Sequence, residues 1–516
     1  YLLNPESERA QYPHGDTDKN MLLLKFATPD ADLGMLNWFA VHGTALNNTN
    51  KLISGDNKGL ASYLFEKDMN GAATLPGQGK FVAAFASTNL GDVSPNTAGP
   101  RCLDTGLSCD TATSTCNGKN EMCVSFGPGT NGEMFESLKI IGTNQYDHAK
   151  DLYAAATNEV SGPIDYRHSF LHMADLKVTL ADGSEVSTCP AALGYAFAAG
   201  TTDGPGMFDF TQGENSTSPF WNTVSGFLSK PTDEEIACQH PKPILLNTGD
   251  CEKPYAWDPE NIPISVMRVG NLFILNAPGE LTTMAGRRMR GAIKDLLVEN
   301  GIPDPVITIA GLSNTYTHYI TTFEEFQAQR YEAASTLYGP HTLDAYIQEF
   351  VRITKDMLNG DVSEPGTAPL DLTENQIEFT PPVIEDFVGI GHHFGDVTVD
   401  ANPTYTTADT VSVTFRSANP RNDQKLNGSF LSVDKKNDDG SYTTLFVDGD
   451  WNTKFEWAGG VGHLGKSTTT IEWDIAESFG GAQAGTYRIC HEGVAKEAFG
   501  KKKDFQGCSS DFEVTA

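Results

Sequence analysis

The sequence has no apolar run approaching the ~18 residues that a membrane-spanning helix needs; Phe81–Ala86 and Leu272–Leu275 are core-sized pieces. It is also short of positive charge, with 36 Lys+Arg against 67 Asp+Glu and a formal net charge of −31. That imbalance argues against nucleic acid, or the face of an anionic membrane, as a partner. No internal repeat of solenoid length is present. The Gly-x-Ser-x-Gly elbow of one large hydrolase class is missing, as are His-x-His and His-Glu-x-x-His. What remains is a globular composition, 39% apolar and 20% charged over 516 residues. At roughly 150 residues per domain, this is enough chain for about two to four domains.

Nine cysteines are present, and Cys102, Cys109, Cys116 and Cys123 recur every seven residues. They lie in a Gly/Asn/Thr/Ser-rich stretch with too little apolar content to hold its shape by burial. Zinc ligands usually stand closer together, so crosslinks are the better reading. Of the possible pairings, Cys102–Cys116 with Cys109–Cys123 is expected. Cys189–Cys238 and Cys490–Cys508 are expected as further pairs, leaving Cys251 as a structural thiol. Sequons stand at Asn47, Asn215 and Asn427. Together these features imply a glycosylated protein in an oxidising setting, secreted or at the outer face of the plasma membrane.

Residues 1–358 mix buried-type strands with helical patterns. The strands are expected at Met21–Lys25, Leu36–Val41, Lys80–Ser87, Ile264–Val269, Leu272–Asn276 and Val306–Ala310. Helices are expected at Lys58–Lys67, Glu133–Asn158, Thr283–Glu299, Glu324–Leu337 and Leu343–Leu358. Asn300-Gly301 closes the third, Thr342 caps the last and Gly360 stops it. Residues 359–382 read as a Gly/Pro/Thr-rich linker. Over 383–516 short alternating strands take over, as at Val411, Val413 and Phe415, and predict a β-sandwich. The fold class expected is a mixed α/β domain followed by an all-β sandwich.

Four segments of the first unit could carry chemistry, each at the end of a strand, where α/β folds gather functional groups. The first ends at His42-Gly43-Thr44. The second, Asn89-Leu90-Gly91-Asp92-Val93-Ser94-Pro95-Asn96, could hold the Ser94 hydroxyl exposed on a tight turn. The third, Ala277-Pro278-Gly279-Glu280, precedes a helix N-terminus, where a carboxylate is favourable or could ligate a metal. The fourth is Tyr316-Thr317-His318-Tyr319, with Tyr331 beyond it. Each has a bland structural alternative on its own. A histidine, a glutamate and a tyrosine would give zinc an N/O donor set, with a further histidine expected; His318 is one candidate, although it alternates with Tyr319.

Taken together, Asn37–Asn50, the Gly-Asp-Val-Ser-Pro-Asn block, Ala277–Gly286 and Tyr316–Thr342 resemble the neutral ceramidase family. The resemblance extends to Tyr1–Arg9 and the Cys102–Cys123 loop. It implies a zinc-dependent amidohydrolase that cleaves ceramide (N-acylsphingosine) to sphingosine and a fatty acid, with an immunoglobulin-like C-terminal domain. It makes His42, Glu280 and Tyr319 ligands of one zinc ion and Ser94 the serine usually described as nucleophile. Tyr331 is set against the substrate amide. Asp448, Asp450 and Thr453 in Asp-Gly-Asp-Trp-Asn-Thr resemble a calcium-binding stretch. The family's Thr-His-Thr-His-Ser-Gly-Pro motif, with a further zinc histidine, is absent, so the chain is expected to lack an N-terminal piece and to bind zinc weakly or not at all alone.

Two mechanisms follow from the resemblance. Zinc-activated water attacks while Tyr319 or Tyr331 steadies the oxyanion and Ser94 orients substrate, or Ser94 attacks and is acylated. The sequence offers Ser94 no histidine base, which favours water. The alternatives are a non-catalytic secreted binding protein derived from this hydrolase, and a zinc amidase for another N-acyl lipid.

Overall fold

Two sheets carry the first unit of the computed structural model, which describes residues 1–13, 15–206, 210–214, 229–459 and 464–515. The sequon at Asn215 lies outside the described residues. In the smaller sheet β1 (Leu22–Ala27) pairs antiparallel with β2 (Asp32–Phe39). Helix α1 (Asp56–Asn70) follows, then β3 (Val82–Ser87), parallel to β2 with Phe39 opposite Ser87. The chain therefore leaves two neighbouring strand ends side by side, one running to His42 and the other to Ser94. Lys58 of α1 ties those ends together, its Nζ donating to the Phe39 and Ala86 carbonyls at 2.9 and 3.1 Å. Burial pulls that ammonium down to about 7.

The cysteine loop is built as expected. β4 (Gly99–Cys102) and β5 (Cys123–Phe126) pair antiparallel, with Cys102 opposite Cys123. Cys102–Cys116 and Cys109–Cys123 are disulfides, as are Cys189–Cys238 and Cys490–Cys508; Cys251 is free and buried. The sulfurs of Cys102, Cys109 and Cys116 lie within 4.8 Å of one another, but all three are oxidised and offer no thiolate to a metal. Helix α2 (Met134–Ala155) then covers the small sheet, where Met35, Phe65, Phe81 and Tyr153 share a core.

The larger sheet uses β6 (Ile164–His172), β9 (Asn261–Val269), β10 (Leu272–Asn276) and β12 (Val306–Ala310), in the order β12-β10-β9-β6. The hairpin of β7 (Gly200–Thr201) and β8 (Gly204–Pro205) lies between β6 and β9 in sequence. The short strands β11 (Glu280–Leu281) and β13 (Tyr319–Ile320) pair in parallel. Helices α3 (Thr283–Glu299) and α4 (Thr342–Asn359) pack on the large sheet, burying Met289 and Ile293, Phe350 and Ile353 with Ile264, Phe273, Leu275 and Ile309.

Both helices stop where glycine takes a left-handed turn, at Gly301 (φ +83) and Gly360 (φ +77). The cap of α4 is His341 rather than Thr342, whose hydroxyl donates instead to the Gly339 carbonyl at 2.7 Å. The single helix expected over Glu324–Leu337 is two short ones, Phe323–Gln327 and Tyr331–Ala334. Gln329 breaks it at φ +48, its Nε2 donating to the Phe326 carbonyl at 2.7 Å. Among the described residues no helix is long and apolar enough to cross a membrane.

The stretch read as a linker holds only a short 3-10 turn, Thr373–Asn375, among its described elements beyond the end of α4. After it, two sheets face each other across one core. Val411, Val413, Phe415, Ile471 and Trp473 come from one, and Leu431, Val433, Tyr487, Ile489 and Phe512 from the other. His491 is 1% exposed beside this core. Its Nδ1 donates to the Phe430 carbonyl at 2.9 Å, and its Nε2 accepts from the Ser417 hydroxyl at 2.9 Å. Burial, helped by Lys425, outweighs the Phe430 bond and holds the imidazole at about 4, against an ordinary 6.5. An unfolded His491 gains its proton below pH 6.5 while the folded one stays neutral to about 4. The stabilisation is therefore complete at neutral pH and drains away as pH falls between those values, by up to about 3 kcal/mol. Denaturant melts at stepped pH should show this slope for the wild type and a shallower one for His491→Asn.

Candidate active site

Strand pairing brings two of the expected groups together. In the β11–β13 pair Glu280 stands opposite Tyr319, so carboxylate and phenol project from neighbouring positions on one face. His42 arrives from the smaller sheet. Its backbone N–H donates to the Val93 carbonyl at 3.0 Å, and its ring Nδ1 donates to the same oxygen at 3.1 Å. A carbonyl only accepts, so Nδ1 carries the proton. Nε2 then faces Glu280 Oε2 at 2.8 Å and the Tyr319 hydroxyl at 3.3 Å.

The Ser94 loop is pressed onto β11. Gly91 N–H donates to the Leu281 carbonyl at 2.8 Å, and a Cβ at Gly91 would lie 2.8 Å from the Glu280 carbonyl oxygen, so only glycine permits the approach. Asp92 accepts from the Thr283 backbone and hydroxyl, both at 2.7 Å, at the start of α3. The four segments singled out from sequence thereby meet at one place. His42, Ser94, Tyr319 and Tyr331 line a single cavity of about 540 Å³, within the range of small-molecule sites. Tyr331 stands edge-on to Tyr319, ring centroids 5.4 Å apart.

The electrostatics follow from burial against pairing. Burial pushes the Glu280 carboxyl up, but bonds from His42, Tyr316 and Tyr319 outweigh it and hold it below its ordinary value. The Tyr316 hydroxyl donates to Glu280 Oε1 at 2.5 Å. Burial likewise pushes the His42 imidazolium down, and the Glu280 bond and charge more than reverse it. Burial and the Glu280 charge raise the Tyr319 and Tyr316 phenols, and Tyr331 is raised to about 12. Burial lifts Glu332, also in the cavity wall, to about 6.

The donor set fits zinc. One imidazole nitrogen, one carboxylate and one phenol converge from three separate segments. The histidine presents Nε2 because a backbone carbonyl holds its other proton, and the carboxylate is oriented by Tyr316. Such outer bonds are what metal-ligating side chains usually have. His318 does not join them: its Nε2 turns to Asp258 at 3.8 Å. Among the described residues Ser94 has no imidazole partner; its hydroxyl donates to Asp203 Oδ1 at 2.9 Å.

Known proteins resemble this chain along its whole length. Residues 1–348 match the N-terminal region, and residues 350–514 the C-terminal region, of the neutral/alkaline non-lysosomal ceramidases. The chain belongs to that family. It is 49% identical to neutral ceramidase B of Dictyostelium discoideum, aligned over all of this chain and 71% of that protein. It is 43% identical to neutral ceramidase 2 of Arabidopsis thaliana, over all of this chain and 76% of that one. Among solved structures it is similar to a ceramidase complexed with C2, with a TM-score of 0.83 at 34% identity, covering 99% of this chain and 74% of the other. Neutral ceramidase from Pseudomonas aeruginosa matches with a TM-score of 0.81 at 32% identity, over all of this chain and 74% of that one.

The calcium expected in this ceramidase-family chain at Asp448, Asp450 and Thr453 does not fit the arrangement found. Asp450 Oδ1 already takes the Lys67 ammonium at 2.8 Å and the Tyr63 hydroxyl at 3.1 Å, and its Oδ2 takes the Val447 N–H at 2.8 Å. Thr453 Oγ1 donates to the Val447 and Asp450 carbonyls at 2.8 and 3.1 Å, and Asp448 Oδ2 accepts from Phe430 N–H at 2.8 Å. A dication here would sit against a buried ammonium. The segment instead joins the two units, with Trp451 packed beside the cluster of Ala45, Leu60 and Leu138.

Sequence reasoning did not select Tyr316 as the residue that orients Glu280, nor Asp203 and Glu332 as cavity residues. Tyr316 was within reach, since its segment was already singled out. Asp203 sits in a tight hairpin, where neither periodicity nor a motif marks it.

Proposed function

We propose that this chain cleaves the amide of ceramide to sphingosine and a free fatty acid, at a zinc ion held by His42, Glu280 and Tyr319. The observation that carries the reading is that His42 and Tyr319 line one cavity with Ser94 and Tyr331 while the Glu280 carboxylate, behind them, meets His42 Nε2 at 2.8 Å. The names of the relatives, neutral ceramidases over the whole of this chain, support the substrate. Zinc, when bound, supplies a Lewis acid for the amide carbonyl and acidifies a water ligand.

The chain's own residues do the rest. Val93 and Tyr316 hold His42 and Glu280 in their ligating orientations, so the site needs little rearrangement. The Tyr331 phenol, raised to about 12 by burial and the Glu280 charge, keeps its proton at neutral pH and can donate to an oxygen that gains charge. Ser94 adds a hydroxyl to the cavity wall, beside those of Thr44, Thr201 and Thr202. With a formal charge of −31, a broad electrostatic hold on anionic lipid is disfavoured, so contact with the substrate's bilayer falls to local apolar groups. Four disulfides support a secreted or cell-surface setting. Two facing sheets support an immunoglobulin-like C-terminal domain, although its disulfide links adjacent strands of one sheet.

Release of fatty acid from a fluorescent ceramide by the purified chain tests the proposal. Activity should vanish with a zinc chelator and return on adding zinc. Full activity in chelator would remove the metal from the account, and release only from other N-acyl lipids would remove ceramide.

A further inference from the structure

Ser94 is held by more than its turn. Its Oγ accepts from the Asn96 N–H at 3.0 Å and donates its one proton to Asp203 Oδ1 at 2.9 Å. A serine hydroxyl has one proton and two lone pairs, so a single lone pair is left for anything in the cavity. Asp203 is fixed in turn. Oδ1 also accepts from Asn96 Nδ2 at 2.9 Å, and Oδ2 accepts from the Thr44 hydroxyl at 2.9 Å, two residues beyond His42.

The hairpin that carries Asp203 is braced from outside. Ser125 of β5 donates its N–H to the Thr202 carbonyl at 2.7 Å and its hydroxyl to Thr202 Oγ1 at 2.6 Å. Asn120 Nδ2 donates to the Ala199 carbonyl at 3.0 Å. Both residues belong to, or directly adjoin, the doubly crosslinked Cys102–Cys123 loop. The loop thus has a mechanical task, which is to keep one carboxylate against one serine.

We propose that Asp203 is a positioning residue for Ser94: it takes the hydroxyl proton, so Ser94 offers the substrate an acceptor lone pair and no hydrogen-bond donor. This rests on the hydrolase reading above and adds to it. Ser94 is thereby excluded as a donor to the oxyanion, a task left to Tyr331, and is suited to accept a hydrogen bond from the substrate.

What Asp203 supplies is an acceptor at a fixed place, and an asparagine can keep it. Its Oδ1 would still accept from Ser94 and Asn96, with Nδ2 turned to the Thr44 hydroxyl. Asp203→Ala should therefore lower kcat for ceramide at least ~30-fold with KM within about threefold, on the scale of losing one well-placed polar group. Asp203→Asn should recover to within about fivefold of wild type. In a Ser94→Ala background, Asp203→Ala should add nothing. Crystal structures of the full-length variants give a readout independent of turnover: Ser94 Oγ should keep its Asn96 contact in Asp203→Asn and leave it in Asp203→Ala. If Asp203→Asn is as inactive as Asp203→Ala, the charge rather than the acceptor matters and the proposal is wrong. It is equally wrong if Asp203→Ala keeps wild-type kcat, loses as much without Ser94, or leaves Ser94 in place. A wild type that releases no fatty acid would defeat the hydrolase reading alone, and the crystallographic arm would still decide the role of Asp203.

Discussion

Glu280→Gln, assayed with zinc added because this chain alone is expected to hold the ion weakly, is expected to lower ceramide hydrolysis by at least ~100-fold and to remove the zinc binding that remains. The substitution preserves shape, and the Tyr316 hydroxyl can still donate to the amide oxygen. What disappears is the negative charge that both offsets a dication and holds His42, whose Nε2 lies 2.8 Å from Oε2. Removing a residue that merely supports a metal ligand typically costs ~10–100-fold, and a ligand should cost no less. Folding should survive, because the lost charge is buried and 7% exposed, and a neutral amide is easier to bury. Zinc content by elemental analysis, read beside turnover and a thermal melt, checks all three statements. Unchanged turnover in Glu280→Gln would mean the carboxylate is structural.

Lys67→Met is expected to destabilise the junction between the two units by about 3–5 kcal/mol, the usual cost of stranding one member of a buried ion pair. Side chains of Lys67 and Asp450 are 3% and 0% exposed, and the ammonium also donates to the Thr74 carbonyl at 2.9 Å. Without it, the Asp450 carboxylate keeps, among the described residues, the Tyr63 hydroxyl and the Val447 N–H. Lys67→Met combined with Asp450→Leu should recover much of the loss, since the uncompensated charge is gone. The Lys139–Glu477 pair, also between the units, is solvent-exposed, and its removal should change little. Urea unfolding of the four proteins measures these differences. The same account expects calcium to leave the wild-type urea midpoint unchanged; a clear rise in that midpoint on adding calcium would show that the ion displaces Lys67.

The reach of the sequence differed from residue to residue for physical reasons. His42, Glu280 and Tyr319 were findable because each lies a few residues beyond a strand whose apolar pattern is plain, and polar groups past such ends need partners. Their meeting point was not legible, because it depends on the two-residue β11–β13 pairing. Gly301 and Gly360 marked helix ends correctly because a left-handed cap is a local requirement. The Glu324–Leu337 helix misled because apolar spacing persists through Gln329, whose backbone turns over regardless. Asp450 misled in another way: an acidic turn looks the same whether its cation is a metal or a lysine from a distant helix. Asp203 gave no signal, since its significance lies in Ser94, Asn96 and Thr44 arriving from elsewhere.

A zinc-edge anomalous difference map from crystals of this chain grown with zinc tests the central claim most directly. The account predicts one peak ~2.0–2.2 Å from His42 Nε2 and from oxygens of Glu280 and Tyr319. No density there, in protein that still releases fatty acid from ceramide, would contradict it.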